Sequence, residues 1–253
     1  MTIHAAADRL RQATRTKTPC EPVRDLIGRD DIGTAYAVQK LIVDERIAGG
    51  GRVVGRKIGL TSPAVQQQLG VDRPDFGVLF ADMEIANGGV VPAGVLLQPK
   101  IEAEVAFILG RDLDHDGDVR EAVAFVLPAL EIVDSRIADW DISFGDTVAD
   151  NASSGLFVLG DARATLGDVE PIDVQMSMQL DGETVSEGSG KACLGDPLLA
   201  LAWLARTARE LGEPLRAGQL VLSGALGPMV AVSSGARVEA ELSGLGSVAV
   251  TFG

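Results

Sequence analysis

The hydrophobic residues in the first fifth of the chain recur with the spacing of amphipathic helices. This periodicity predicts helices over residues 2–17 and 31–48. A glycine run at 49–51 ends the second helix, and the apolar segment 52–60 that follows is predicted as a strand. A short helix is predicted over Pro63–Leu69, before Gly70. The first 17 residues have arginines but no contiguous apolar stretch, which favours an amphipathic surface helix over a transit peptide.

From about residue 77 onward, the pattern changes to short apolar segments separated by turn residues. Segment 100–109 alternates cleanly, with Lys100, Glu102 and Glu104 on the face opposite its apolar residues. Further strands are predicted over 129–134, 155–159, 172–180, 183–187, 219–223, 237–243 and 247–252, with a hairpin turn at Asp181-Gly182. Helices are predicted over 119–126 and over a longer stretch from Pro197 to Leu211, where Asp196 can cap the helix and Pro197 occupies its first position. The pattern therefore indicates an α+β protein, with a helical N-terminal quarter before a mostly β domain.

Composition excludes several classes of partner. The chain has 253 residues and is 46% hydrophobic, which is typical of a globular protein with a sizeable core. Its net charge of -14 disfavours nucleic acid and acidic membrane surfaces, and no apolar segment approaches the length of a spanning helix. Cys20 and Cys193 are far apart in sequence, which favours a reducing compartment, so a cytoplasmic protein is expected.

The carboxylates of the predicted strand 100–109 are the most chemical feature. Glu102 and Glu104 share one strand face, with Cα atoms roughly 6.5–7 Å apart. From spacing alone, a solvated edge strand with acidic side chains is the favoured interpretation. Glu131 interrupts an apolar strand-like run, where an unpaired carboxylate is costly, so it needs a partner. Three carboxylates without nearby sulfur or imidazole would suit Mg²⁺ or Mn²⁺ rather than zinc.

Proton-transfer groups are few in this sequence. His4 lies in the first predicted helix and His115 in an acidic loop, and both are interpreted as surface residues, so a catalytic Ser-His-Asp arrangement has little support. Lys57 lies within the predicted strand 52–60, where an exposed lysine is the ordinary interpretation. Near a metal-carboxylate cluster, Lys57 could instead bind an anionic substrate or transfer a proton.

Five separated blocks, in the same order along nearly the whole chain, resemble the 2-hydroxypenta-2,4-dienoate hydratases of the fumarylacetoacetate hydrolase superfamily. The blocks are GRKIGLTSPAVQQQLGVDRPDFGVLFADM (55–83), PKIEAEVAFILGRDL (99–113), LPALEIVDSRIADW (127–140), DTVADNASSG (146–155) and SGALGPMVAV (223–232). The resemblance implies a mixed β-roll or sandwich with flanking helices. It divides the chain into a helical N-terminal segment, 1–70, packed on a catalytic β-roll domain, 71–253, the two forming one functional unit.

The resemblance also implies roles for particular residues. Glu102, Glu104 and Glu131 match the family's metal ligands, for Mg²⁺ or Mn²⁺. Lys57 and Asp75 match pocket residues and are expected to transfer protons or position water. The expected substrate-binding residues are Leu60, Asn151, Ser153, Ser223 and Gly224, with the Ser223-Gly224 turn holding the substrate carboxylate. Hydrolytic members of the superfamily use a His-Glu dyad, for which this sequence has no suitably placed histidine.

The activity implied is addition of water to 2-hydroxypenta-2,4-dienoate, giving 4-hydroxy-2-oxopentanoate in meta-cleavage breakdown of aromatic compounds. The alternative within the family is 4-oxalocrotonate decarboxylase, which shares the KIGLTS and IEAE motifs. An alternative of another class is a non-catalytic subunit that stabilises a pathway decarboxylase or aldolase. The resemblance further implies a homo-oligomer, for which a pentamer or a decamer is expected.

Overall fold

The computed structural model describes residues 2–62, 66 and 73–253. Three helices precede the first strand: α1 (Thr2–Thr16), α2 (Arg24–Ile27) and α3 (Ile32–Ala48). They share a small core with a later helix, α4 (Phe144–Ala149). The two long helices match the predicted ones within a residue or two. The short helix predicted over 63–69 lies outside the described residues, apart from Gln66.

The strands of the described part of the chain form two sheets. Their bounds are β1 (Val53–Gly59), β2 (Asp75–Phe80), β3 (Glu84–Ile85), β4 (Val90–Val91), β5 (Pro99–Leu109), β6 (Val123–Asp134), β7 (Ser154–Leu159), β8 (Gln175–Leu180), β9 (Glu183–Ser189), β10 (Leu220–Ala225), β11 (Val230–Ala231), β12 (Arg237–Leu242) and β13 (Gly246–Phe252). The larger sheet has the order β2-β1-β10-β5-β6-β7-β3, with β11 also paired to β5. The smaller sheet has the order β4-β13-β12-β8-β9. Parallel pairs such as β1 with β10 occur beside antiparallel pairs, so the predicted mixed α+β architecture is confirmed.

The main core lies between the two sheets. It contains Ile101 and Phe107 of β5, Met178 of β8 and Val238 of β12. Helix α5 (Pro197–Glu210) closes one side of this core with its apolar face. The Asp196 side chain accepts a hydrogen bond from the Leu198 amide and so begins α5 as predicted.

Strand β5 is central, not an edge strand. It pairs with β6 on one side and with β10 and β11 on the other. Ile101 belongs to the core between the sheets, whereas Ala106, on the opposite face, belongs to a second core with Phe80 and Phe157. The interpretation of Glu102 and Glu104 as residues of a solvated edge strand is therefore wrong, because both faces of β5 are covered.

Of two other sequence predictions, one is wrong and one is confirmed. The helix over 119–126 is wrong: a single 3₁₀ turn over Val119–Ala122 leads directly into β6. This long β6 strand pairs with β5, and that pairing overrides the local helical pattern. By contrast, β8 and β9 form the predicted hairpin around Asp181-Gly182.

The proposed division at residue 70 stays a prediction. Strand β1, which falls in segment 1–70, pairs with β2 and β10 of the larger sheet. Among the described residues, none of the helices has the length and apolar character needed to cross a membrane.

Candidate metal centre and adjoining cavity

Three glutamates converge where β5 and β6 pair. Glu102 lies directly opposite Glu131 in the strand register, and Glu104 follows two residues later on the same face of β5. One carboxylate oxygen from each residue lies within 4.8 Å of the other two. Glu102 is 7% exposed, and Glu104 and Glu131 are fully buried. The spatial convergence predicted for these residues is therefore present.

Burial and mutual repulsion disfavour the ionised form of these carboxylates unless a cation binds between them. Burial raises the pKa of Glu102 to about 7, with repulsion from Glu131 as the next cause. The same two causes raise the pKa of Glu104 well above its usual range. Among the described residues, Glu104 Oε1 and Glu131 Oε2 accept no hydrogen bond although both are buried. Unsatisfied carboxylate oxygens at this spacing fit a hard divalent ion such as Mg²⁺ or Mn²⁺.

The other oxygen of Glu104 is held by the backbone of β10. The Gly224 amide donates a 2.7 Å hydrogen bond to Glu104 Oε2. Gly224 has φ of +111°, and a Cβ there would lie 2.3 Å from Thr61 Oγ1, so the position requires glycine. Ser223 is fully buried, and its carbonyl accepts a 2.9 Å hydrogen bond from the Cys193 thiol. Gly224 thus contacts the Glu104 carboxylate directly, and Ser223 precedes it in β10; the contact of this turn with a substrate carboxylate stays a prediction.

Lys57 lies against the cluster. Its Nζ is 2.9 Å from Glu131 Oε1, and its side chain is 3% exposed, so the interpretation as an exposed strand lysine is wrong. Burial lowers the pKa of Lys57, but attraction from Glu131, Asp75 and Glu102 outweighs burial and leaves it above its ordinary value. With these neighbours Lys57 is held in its charged form.

Asp75 begins β2, opposite Gly59 of β1. A Cβ at Gly59 would lie 2.3 Å from Asp75 Oδ1, so a glycine there lets the carboxylate sit against the neighbouring strand. Burial raises the pKa of Asp75 to about 6, and the charge of Lys57 limits the rise. The hydroxyl of Thr147, on α4, donates to Asp75 Oδ2 at 3.4 Å. Asp75 is therefore a buried carboxyl group that can hold or release a proton near neutral pH.

A cavity of about 430 Å³ adjoins these groups. Of the residues predicted from sequence, Lys57, Leu60, Asp75, Glu102 and Ser153 line it. Sequence reasoning missed other lining residues, chiefly Lys100, Trp140, Thr147 and Met229. For Lys100 a signal existed, because the strand alternation places it on the same face as Glu102.

The turn between α4 and β7 forms one wall of the cavity. Asn151, Ala152 and Ser153 have φ of 55°, 52° and 52°, a left-handed run that is strained for residues with a Cβ. Ala152 and Ser153 line the cavity, and Ser153 Oγ lies 3.4 Å from Thr147 Oγ1. The Asn151 side chain instead makes two hydrogen bonds with the backbone of Val78 on β2, of 2.8 and 2.9 Å. Its predicted contact with substrate stays a prediction, and the contact it makes here fixes the turn to the sheet.

Arg136 holds this turn at both of its ends. Its guanidinium donates to the Asp150 carboxylate and carbonyl on one side and, at 2.8 Å, to the Ser154 carbonyl on the other. The Arg136 amide also donates to Asp150 Oδ2 at 2.9 Å. One side chain therefore spans the left-handed run and stabilises its backbone.

Comparison with known proteins gives consistent results. Residues 55–252 match the family described as fumarylacetoacetate (FAA) hydrolase C-terminal. The chain is 54% identical to 2-keto-4-pentenoate hydratase 2 of Dechloromonas aromatica, covering 100% of this chain and 98% of that protein. It is 40% identical to 2-hydroxyhexa-2,4-dienoate hydratase of Comamonas testosteroni, covering 99% and 97%. Among solved structures, 4-oxalocrotonate decarboxylase from Pseudomonas putida G7, complexed with magnesium and adipate, aligns with a TM-score of 0.94 and 34% identity over 99% and 97% of the two chains.

Proposed function

Because the chain belongs to the fumarylacetoacetate hydrolase family, we propose that it is a divalent-metal-dependent hydratase of 2-hydroxypenta-2,4-dienoate, producing 4-hydroxy-2-oxopentanoate in meta-cleavage aromatic catabolism. The observation that carries this proposal is the buried cluster of Glu102, Glu104 and Glu131, of which Glu102 lines the same cavity as Lys57 and Asp75. Relatives of 54% and 40% identity over nearly the full length are hydratases of such dienoates.

The three glutamates would hold Mg²⁺ or Mn²⁺. A divalent ion bound there supplies Lewis acidity, which stabilises negative charge on the 2-oxygen of the substrate. The chain supplies the rest of the chemistry. The apolar part of the cavity, formed by residues such as Val133, Ile142 and Met229, takes the carbon tail and limits the access of water.

Asp75 is assigned proton transfer, and Lys57 acts beside it as a charged group. Protonation of the dienol at C5, with loss of the 2-hydroxyl proton, gives a 2-oxo-3-enoate, whose C4 is electrophilic by conjugation. Water then adds at C4 and releases a proton, while C3 takes up a proton. Asp75, with its pKa raised to about 6, can both donate and accept a proton near neutral pH. Lys57, held charged against Glu131, orients the carboxylates and stabilises negative charge that develops on the substrate. The Thr147 hydroxyl lies beside Asp75, and the Ser153 hydroxyl lies beside that of Thr147, so both can position the attacking water.

A direct test is the loss of dienoate ultraviolet absorbance on adding protein with Mg²⁺, with NMR identification of 4-hydroxy-2-oxopentanoate. Glu102→Gln serves as the control for metal dependence. The Lys57→Met and Asp75→Asn variants are expected to lower kcat by about 10²–10⁴ with metal binding intact. The matched control is Lys40→Met, which changes an exposed lysine. Near-normal turnover in Lys57→Met would remove Lys57 from the mechanism.

A 4-oxalocrotonate decarboxylase is the second candidate, because the structure of such an enzyme aligns over nearly the whole chain. Release of CO₂ from 2-oxohex-3-enedioate, without consumption of the pentadienoate, would select it. The higher identity to the hydratases favours hydration. A protein inactive on both substrates would fit a non-catalytic partner of a pathway decarboxylase or aldolase.

Cellular context and assembly are part of the same proposal. The cytoplasm is the proposed compartment, and the free thiols of Cys20 and Cys193 support a reducing environment. A homo-oligomer, as a pentamer or decamer, is expected, and light scattering of the purified protein measures its mass directly.

A further inference from the structure

Lys100 has an environment that neither the fold nor the metal cluster explains. It lines the cavity two residues before Glu102, on the same face of β5. Its Nζ lies 4.3 Å from the ring centre of Trp140. Among the described residues, no carboxylate oxygen lies within 4.0 Å of this ammonium, and no acceptor forms a hydrogen bond with it. A partly buried lysine beside a carboxylate-rich site thus has an aromatic face as its partner and no described protein acceptor for its hydrogen-bond donors.

The Trp140 ring is itself fixed. Its indole N–H donates to the Gln98 carbonyl at 3.1 Å, and the Gln98 side chain accepts from the Asp139 amide at 2.8 Å. Asp139 and Trp140 both have left-handed backbone angles, with φ of 58° and 57°. The turn is therefore locked onto the start of β5, and the cation–π contact holds the Lys100 ammonium at the cavity in advance of any ligand.

Charge balance indicates what this ammonium is for. With a divalent ion at the cluster and the carboxyl groups of Glu102, Glu104, Glu131 and Asp75 all ionised, their four negative charges are balanced by the ion together with Lys57 and Lys100. Without Lys100 the site would carry a net negative charge and would repel an anionic ligand. The unpaired donors of Lys100 would then face the ligand itself.

The Ser223-Gly224 turn, which the sequence resemblance implies as the carboxylate-binding element, has no donor directed at this cavity. Ser223 is fully buried, and the Gly224 amide is already committed to Glu104. Neither residue lines the cavity, whereas Lys100 does.

We propose that Lys100, held on the Trp140 ring, binds the carboxylate of a 2-oxo acid or of its 2-hydroxydienoate form in this cavity. The inference rests on the proposed function for the identity of the substrate class. Lys100 is here a binding residue that discriminates acids from their neutral derivatives.

The test measures binding without turnover. Calorimetry of the Mg²⁺-loaded protein is performed with 2-oxopentanoate, a saturated analogue, and with its neutral methyl ester. Lys100→Met is expected to weaken binding of the acid about 10-fold or more. Binding of the ester and of Mg²⁺ should change less than about 3-fold. Lys100→Arg should retain most of the acid affinity, and Lys40→Met, at an exposed site, should leave it unchanged.

Three results would overturn the proposal. If Lys100→Met binds 2-oxopentanoate with unchanged affinity, Lys100 does not contact the ligand carboxylate. An equal loss for acid and ester assigns Lys100 to cavity shape instead of carboxylate binding. A loss confined to 2-oxoadipate, which has a second carboxylate, places Lys100 at the distal end of the ligand. Failure of the wild-type protein to hydrate dienoates, with acid affinity still dependent on Lys100, would refute the proposed hydratase and leave this inference standing.

Discussion

The glutamate cluster predicts that the metal-free protein loses stability as the pH rises. Burial and mutual repulsion raise the pKa of Glu102 from 4.5 to about 7. The folded state then keeps a proton that the unfolded chain releases, so the stabilising contribution is complete below about pH 4.5 and is lost as the pH passes through 7. Glu104, and Asp75 with its pKa of about 6, act in the same direction.

For Glu102 alone, the rise in pKa corresponds to about 3 kcal/mol of unfolding free energy. The measurement is urea unfolding of chelator-treated protein between pH 5 and pH 8, at one protein concentration. Wild type is expected to lose at least about 3 kcal/mol over this range. Glu102→Gln, which cannot ionise, should lose less. Saturating Mg²⁺ should reverse the trend, because the ion binds deprotonated carboxylates.

A stability that stays constant or increases between pH 5 and pH 8 without metal would refute this reasoning. It would mean that the carboxylates are ionised in the folded protein and stabilised by groups other than an ion. A Glu102→Gln variant with the same pH dependence as wild type would show that the loss arises elsewhere.

Three further predictions concern the site and its supports. Glu104→Gln should weaken Mg²⁺ or Mn²⁺ binding by about 100-fold or more in calorimetry, and unchanged affinity would show that the ion binds elsewhere. Gly77→Ala should destabilise the protein by about 3 kcal/mol in urea unfolding, because the added Cβ would lie 2.3 Å from the Asn151 carbonyl oxygen. The control is Gly117→Ala, which should be close to neutral because no atom lies within 4 Å of its Cβ. Arg136→Met should lower kcat more than it lowers Mg²⁺ affinity, because it releases the left-handed turn. Arg136→Lys should recover part of the rate. Equal kcat in the wild type and both variants would show that this turn does not contribute to catalysis.

Local patterns in the sequence were sufficient for much of the fold. The helical period of α3 and the cap and proline at the start of α5 predicted those helices, and the Asp-Gly turn predicted the β8–β9 hairpin. The pattern over 119–126 failed because short apolar segments fit either a helix or a buried strand. Pairing of β6 with β5, which involves distant residues, decided between them.

The site was predictable in its residues but not in its environment. Alternation placed Glu102 and Glu104 on one face, yet the same alternation is typical of strands with one solvated face, so burial could not be derived from it. The burial of Lys57 is likewise not derivable from the sequence pattern, because it results from the pairing of β1 with β2 on one side and β10 on the other. Thr147 and Trp140 come from segments with no chemical signature of their own, and the cavity includes them because α4 and the turn over 138–140 fold over the sheet.

The way the cavity is built separates its chemistry from its shape. The ionisable groups Lys57, Asp75 and Glu102 stand on paired strands, whereas Trp140 and Met229 come from connecting segments between strands. Insertions and substitutions in such connections are tolerated far better than changes within a central strand. Divergence among descendants of this protein can therefore alter the length or polarity of the accepted carbon tail while the same acid cluster and its lysine stay in register.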